Sequence, residues 1–118
     1  MNSKMYIAVL DEVGDFMVPT LVAHSVLNAH VAFTGPAQRN MDNYRTYTDW
    51  LALSFKKVVI RVNRKEFEKI RTTLTCWEGH ENTTLSGEIS CLVVLPVQSD
   101  NVPNVLKYAK MWKPKEAV

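Results

Sequence analysis

KMYIAVLDEVGDFMVPTLVAHSVLNAHVAF, Lys4 to Phe33, decides the fold class. Its first eight residues are strand formers closed by an acid, which reads as a buried first strand, Lys4 to Asp11. Gly14 breaks the loop that follows. Pro19 then suits the first turn of a helix, where its missing N–H costs nothing. Val22, Val26, Ala29 and Phe33 recur at three- and four-residue steps, and Leu21, Leu27 and Val31 spread the apolar surface around most of the circumference. A helix this apolar is expected against a sheet.

The next units repeat the alternation. TGPAQRNMDNYRTYT (Thr34 to Thr48) reads as a polar loop. DWLALSF (Asp49 to Phe55) reads as a short helical turn capped by Asp49 and anchored by Trp50, Leu51 and Leu53. KKVVIRV (Lys56 to Val62) is a strand. Asn63 and Glu66 then have the N-x-x-E spacing of a capping box, opening a helix that runs to about Thr73. A short strand is expected near Thr75 to Trp77, an exposed loop from there to Gly87, and a strongly apolar strand over Ile89 to Pro96. SDNVPNVLKYAKMW (Ser99 to Trp112) reads as an amphipathic helix, with Lys107, Lys110 and Lys113 on a side away from its packed residues. The order implies one α/β domain over residues 1–118, three layers deep, around a small four-stranded mixed sheet.

Composition narrows the function classes. At 47% hydrophobic and 22% charged residues, the chain has the make-up of a globular domain. No apolar run approaches the ~18 to 20 residues of a membrane span, because histidine, asparagine, threonine and serine interrupt the best candidate, and no secretory signal pattern opens the chain. Cytoplasmic residence is the expectation, and Cys76 and Cys91 read as buried thiols. No Walker loop, dinucleotide fingerprint, G-x-S-x-G elbow or H-E-x-x-H occurs, so no cofactor or metal is expected. His24 and His30 stand about 240° apart around a helix and cannot act as paired ligands. Asp11, Glu12 and Asp15 read as an acidic surface turn.

Charge is uneven. Residues 1–49 hold three basic and five acidic residues, the rest eleven and seven. The densest stretch, Lys56 to Arg71, sets seven cations against Glu66 and Glu68; Lys56, Lys57, Arg61, Arg64 and Lys65 are its candidate nucleic-acid contacts. In open α/β sheets ligands sit at the carboxyl ends of strands. That places Asp11 to Thr20, Arg61 to Arg64 and Glu78 to Asn82 on one rim. Thr20 and His24 share a helical stripe with Asn28. Glu78 and His80, in EGHEN, are candidates for acid–base work.

The arrangement resembles the archaeal and eukaryotic, or second, family of peptidyl-tRNA hydrolases along nearly the whole chain. KMYIAVLDE is similar to that family's first strand, and AHSVLNAH (Ala23 to His30) to its S-H-A-x-L-G-A-Y segment. WLALSFKKVVIRVNRKEFEKI resembles its W-x-x-x-G-x-x-K-V-V-L-K-V and the helix after it. SGEISCLVVLP and VLKYAKMWK resemble its end strand and closing helix. The resemblance implies a four-stranded mixed sheet with helices on both faces. The family's G-K-x-A-A-Q helix start is not kept: Met17 stands at the lysine and Leu21 at the glutamine. Its D-A-G-R-T-Q loop falls on Glu78, Gly79, His80, Glu81, Asn82 and Thr83, with a carboxylate replacing the arginine. Losing that lysine removes a cation able to hold phosphate or developing negative charge. The expectation is therefore a divergent relative that has lost the usual catalysis and binds RNA, tRNA or a protein partner. The alternatives are a hydrolase rebuilt on Thr20, His24, Glu78 and His80, and an interaction protein, dimeric in one form, using Trp50, Tyr44, Tyr47 or Trp112.

Overall fold

The computed structural model describes residues 2–38, 41–80 and 87–115. It is a mixed α/β fold with a six-stranded sheet. The strands are β1 (Ser3–Leu10), β2 (Lys56–Val62), β3 (Cys76–His80), β4 (Ile89–Val94), β5 (Val97–Gln98) and β6 (Lys110–Met111). The helices are α1 (Val18–Thr34), α2 (Asp42–Leu53), α3 (Arg64–Thr73) and α4 (Asn104–Lys107). Strand order is β3-β4-β1-β2-β6, with β5 pairing β1 beyond the end of β4.

β1 is central because both its faces and both its edges are covered. Ala8, Val9 and Leu10 are wholly buried. It runs parallel to β2 from Lys4↔Lys56 to Leu10↔Val62, and antiparallel to β4 through Ile7↔Val93 to Val9↔Cys91. β3 is antiparallel to β4 and so points the same way as β1 and β2. The carboxyl ends of β1, β2 and β3 therefore share one rim. Successive strand residues face opposite sides, and β3 shows which helix covers which. A Cβ on Gly79 would lie 2.0 Å from Ser25 Oγ of α1, whereas Glu78 bonds Arg71 of α3 at 2.7 Å.

Local chemistry sets the helix ends. Pro19 sits in the first turn of α1. Asn63 accepts from the Glu66 amide, and the Glu66 carboxylate accepts from the Asn63 amide, both at 2.8 Å, completing the capping box. α2 ends on Phe55, whose φ of 64° is the left-handed conformation usual for glycine at a helix C-terminus. Its N–H donates to Trp50 O at 2.7 Å.

Several expectations need correction. The polar loop to Thr48 is mostly helix, because Tyr47 and Trp50 belong to one buried stripe of α2. Asp49 lies within that helix and caps nothing, and Leu53 is exposed rather than an anchor. The helix expected over Ser99 to Trp112 shrinks to α4, because Lys110–Met111 instead pairs with Ile60 and Arg61 and covers the free edge of β2. With β5 this gives six strands, not four. Finally, the run Asp15–Thr34 has 20 residues and a mean hydropathy of 1.4, long and apolar enough to cross a membrane. Histidine and asparagine did not lower it below that level. Only its stripe Val18, Leu21, Ser25, Ala29 and Phe33 is buried.

Candidate functional site

The rim formed by the carboxyl ends of β1 and β2 carries a cleft of about 500 Å³. Asp11, Arg61, Asn63, Glu66, Tyr108, Lys110 and Lys113 are among its walls. A volume in the few-hundred-Å³ range suits a ligand of nucleotide size. Arg61 is the centre of the arrangement. It projects from the next-to-last position of β2, and its side chain is only 16% exposed. Its Nη2 donates to Asp15 at 3.3 Å and to the Lys113 carbonyl. Its guanidinium lies 5.2 Å from the centre of the Trp112 ring. Nη1 is buried and has no hydrogen-bond partner among the described residues.

β6 explains how the other groups arrive. Arg61 is opposite Lys110 in the ladder, and the Trp112 amide donates to Val59 O at 2.8 Å. Just before it, Tyr108 caps α4 and is 74% exposed, with Lys107 Nζ 5.6 Å from its ring centre. The segment KYAKMWK (Lys107 to Lys113) thus alternates cations with an exposed phenol and an indole stacked on Arg61. Cations that follow a backbone, beside rings on which bases can stack, suit single-stranded nucleic acid.

The acids nearby are mostly committed. Glu12 holds Arg64 through two bonds, 2.6 and 2.9 Å, and Glu88 takes the third at 2.5 Å. Arg64 keeps the Glu12 carboxyl below its ordinary range, and both carboxylates raise Arg64 further. Glu66 is held by the capping box, and Lys115 is bonded to Asp15 and the Asp11 carbonyl. Glu12 and Asp15 of the acidic turn are therefore ion-pair partners. No group of three metal-ligating side chains occurs among the described residues.

The residues singled out in the sequence are scattered. Thr20 and His24 lie on the exposed side of α1, where His24 Nε2 is 3.1 Å from Asn28 Nδ2. Glu78 is on the other side of the sheet, bonded to Arg71, and is in β3 together with His80 rather than in a loop. The structure does not bring His24 and Glu78 together. Glu81, Asn82 and Thr83 lie outside the described residues. Of the five basic candidates, Arg61 is in the cleft and Arg64 is neutralised beside it. Lys65 is exposed on α3. Lys56 and Lys57 start β2, about 17 Å from its far end at the usual strand rise. Lys57 instead stands 3.4 Å from the centre of the Phe55 ring.

Tyr108, Lys110 and Lys113 were missed as a group because Ser99 to Trp112 read as a helix, in which three lysines are a solvated side. The signal that could have found them is the cation–aromatic alternation itself. The aromatic patch proposed for partner contact is also reassigned. Tyr47 and Trp50 are buried, and Tyr44 and Trp112 are partly so; Phe16, Phe55 and Tyr108 are the exposed rings. Both thiols are free. Burial pushes Cys91 up to about 12 and Cys76 to about 11, so neither is a ready nucleophile. No protein-family model matches the chain, and no curated protein matches it at a significant level.

Proposed function

We propose that the protein binds single-stranded RNA or an unpaired region of tRNA at the β1–β2 rim, as a divergent, non-hydrolytic relative of the second peptidyl-tRNA hydrolase family. The observation that carries this reading is the convergence of Arg61, Lys110 and Lys113 on one cleft edged by exposed Tyr108. The family relationship is supported by the order of elements, by four strands of five or more residues, and by helices on both faces of the sheet. The loss of hydrolysis is supported by Met17 and Leu21 in place of lysine and glutamine. It is supported also by the separation of His24 from Glu78, which leaves the alternative catalytic set without a common centre.

Fluorescence anisotropy with a labelled single-stranded oligoribonucleotide and with tRNA tests the reading. Micromolar binding should weaken steeply with salt, since each neutralised phosphate contributes about −0.7 to the log–log slope for single strands. Lys110→Glu with Lys113→Glu should weaken binding at least about tenfold and flatten that slope by 1 or more. Tyr108→Ala should cost about 1–3 kcal/mol of binding through lost stacking, with little change in slope. Absence of salt-sensitive binding at micromolar protein would overturn the proposal. Release of peptide from a peptidyl-tRNA substrate would favour the hydrolase instead.

A further inference from the structure

The cleft at the rim has a neighbour. β1 and β2 run in parallel register, so Lys4, Tyr6, Lys56, Val58 and Ile60 project from one face of the sheet. Between that face and the α4–β6 segment lies a recess of about 180 Å³, with Lys4, Tyr6, Lys107 and Met111 among its walls. Met111 is 63% exposed and also lines the rim cleft, so the two concavities share a wall. None of the described residues lining the recess is acidic. Lys4, Lys56 and Lys107 form no ion pair among the described residues. Lys4 Nζ stands 5.7 Å from the centre of the Tyr6 ring, as Lys107 Nζ stands 5.6 Å from that of Tyr108. The cation–ring arrangement of the rim therefore recurs beside it. A further recess of about 260 Å³ shares Tyr6 and Lys107 but has Asp100 in its wall.

We propose that this recess is a second subsite for the same single strand, with a base stacked on Tyr6 and the flanking phosphates held by Lys4, Lys56 and Lys107. The inference rests on the reading of the rim as an RNA-binding cleft, and it adds the path and length of the bound strand. Unpaired cations with no acid among them select an anionic occupant. Tyr6 in the wall adds a platform for a flat ring, and the shared Met111 makes the site continuous with the cleft. A single strand supplies a charge and a ring at every step, which matches cations and tyrosines in series. An acidic peptide supplies the charge without the rings. A bilayer surface meets basic residues that project from the protein, whereas Lys4 and Tyr6 line a concavity. From Arg61 to Lys56 the strand would travel about 17 Å along β2. Asp100 repels phosphate and marks where the path ends.

Fluorescence anisotropy with oligouridylates of about 4 and about 12 nucleotides, on the full chain, is the test. The longer strand should bind at least about tenfold more tightly, and two added phosphates should steepen its salt slope by about 1.4. Lys4→Glu with Lys107→Glu should abolish that advantage while leaving the affinity for the shorter strand within about twofold. Lys107→Glu alone, on an exposed position of α4, should remove part of it, so the test survives if a change in β1 impairs folding. Tyr6→Leu should weaken the longer strand without changing its slope. Lys110→Glu with Lys113→Glu should weaken both lengths. Binding of neither length by wild type would overturn the rim reading itself. Equal affinity for the two lengths, or equal weakening of both by the Lys4 and Lys107 changes, would overturn the second subsite and leave the rim standing. So would pelleting with vesicles containing about 30% phosphatidylserine that is lost in Lys107→Glu while the longer strand still binds normally, because a bilayer would then be the occupant.

Discussion

α1 and α3 cover opposite faces of the same sheet, yet they are solvated in contrary ways. α3 is a ten-residue helix with six charges, and it buries Phe67 and Ile70 alone. Its two arginines are partnered: Arg64 with Glu12 and Glu88, Arg71 with Glu68 and Glu78. α1 has 17 residues and no charge, and it also buries a single stripe. Water and ion pairs account for the outside of α3. They do not account for the outside of α1, where Leu27 and Val31 stay exposed.

The inward stripes should not differ, and this is the strongest test of the comparison. Leu21 and Ile70 are both wholly buried, one beneath each helix. Leu21→Ala and Ile70→Ala are each expected to cost about 2–5 kcal/mol, from lost burial plus the cavity left behind. Urea denaturation checks this. A near-neutral Leu21→Ala would mean that α1 is loosely docked.

Gly79 tests how closely α1 approaches the sheet. An added Cβ would lie 2.0 Å from Ser25 Oγ and 2.8 Å from Ser25 Cβ, and the second contact cannot be relieved by rotating the hydroxyl. Gly79→Ala should therefore destabilise by about 1–3 kcal/mol. Combining it with Ser25→Gly should restore part of the loss relative to Ser25→Gly alone, as a double-mutant cycle would show. Nothing comparable is expected on the α3 side, where Glu78 reaches outward to Arg71.

The difference between the two helices also marks what could be read beforehand. Period-two apolar runs and the Asn63–Glu66 spacing are local signals, and β1, β2, α3 and β4 appear where those signals placed them. α2 was hidden because Asp42, Asn43, Arg45 and Thr46 dilute its apolar content, although Tyr47, Trp50 and Leu51 keep helical spacing. β6 was hidden because two residues of edge pairing leave no periodicity. The cleft depended on that pairing, since only β6 carries Lys110 to the side of Arg61. The separation of His24 from Glu78 depended on which face of β3 each helix covers, a property of the assembled sheet.

The entry to α3 offers a smaller, sharper contrast. Asn63 and Glu66 satisfy one another's amides there, whereas α1 begins at Met17 with no side-chain cap. Asn63→Ala should cost about 1 kcal/mol, within the 0.5–2 range of N-cap losses. Met17→Ala should cost nothing through capping. Because Asn63 also lines the cleft, RNA affinity in Asn63→Ala separates a structural cap from a ligand contact: unchanged affinity per folded molecule assigns it to the cap.

The smallest effect is one of acidity, and it belongs to the α3 side alone. The hydrogen bonds from Arg64, supported by its charge, hold the Glu12 carboxyl below its ordinary value of 4.5 against the opposing effect of burial. A carboxylate whose folded value is depressed contributes stability that is fully present above the unfolded value. That contribution is lost as pH falls through the folded one. Between pH 7 and about 4.5 the difference in melting temperature between wild type and Arg64→Ala should stay constant, and below 4.5 it should shrink. Both groups are exposed at the surface, so salt should reduce the difference as well. The matching α1 variant, Leu27→Gln, changes a face with no carboxylate from Phe16 to Thr34. Its melting difference should show no break at pH 4.5. A break there would mean that α1 is coupled to the Glu12–Arg64 pair through the loop between Asp11 and Met17, and the two faces would no longer be independent.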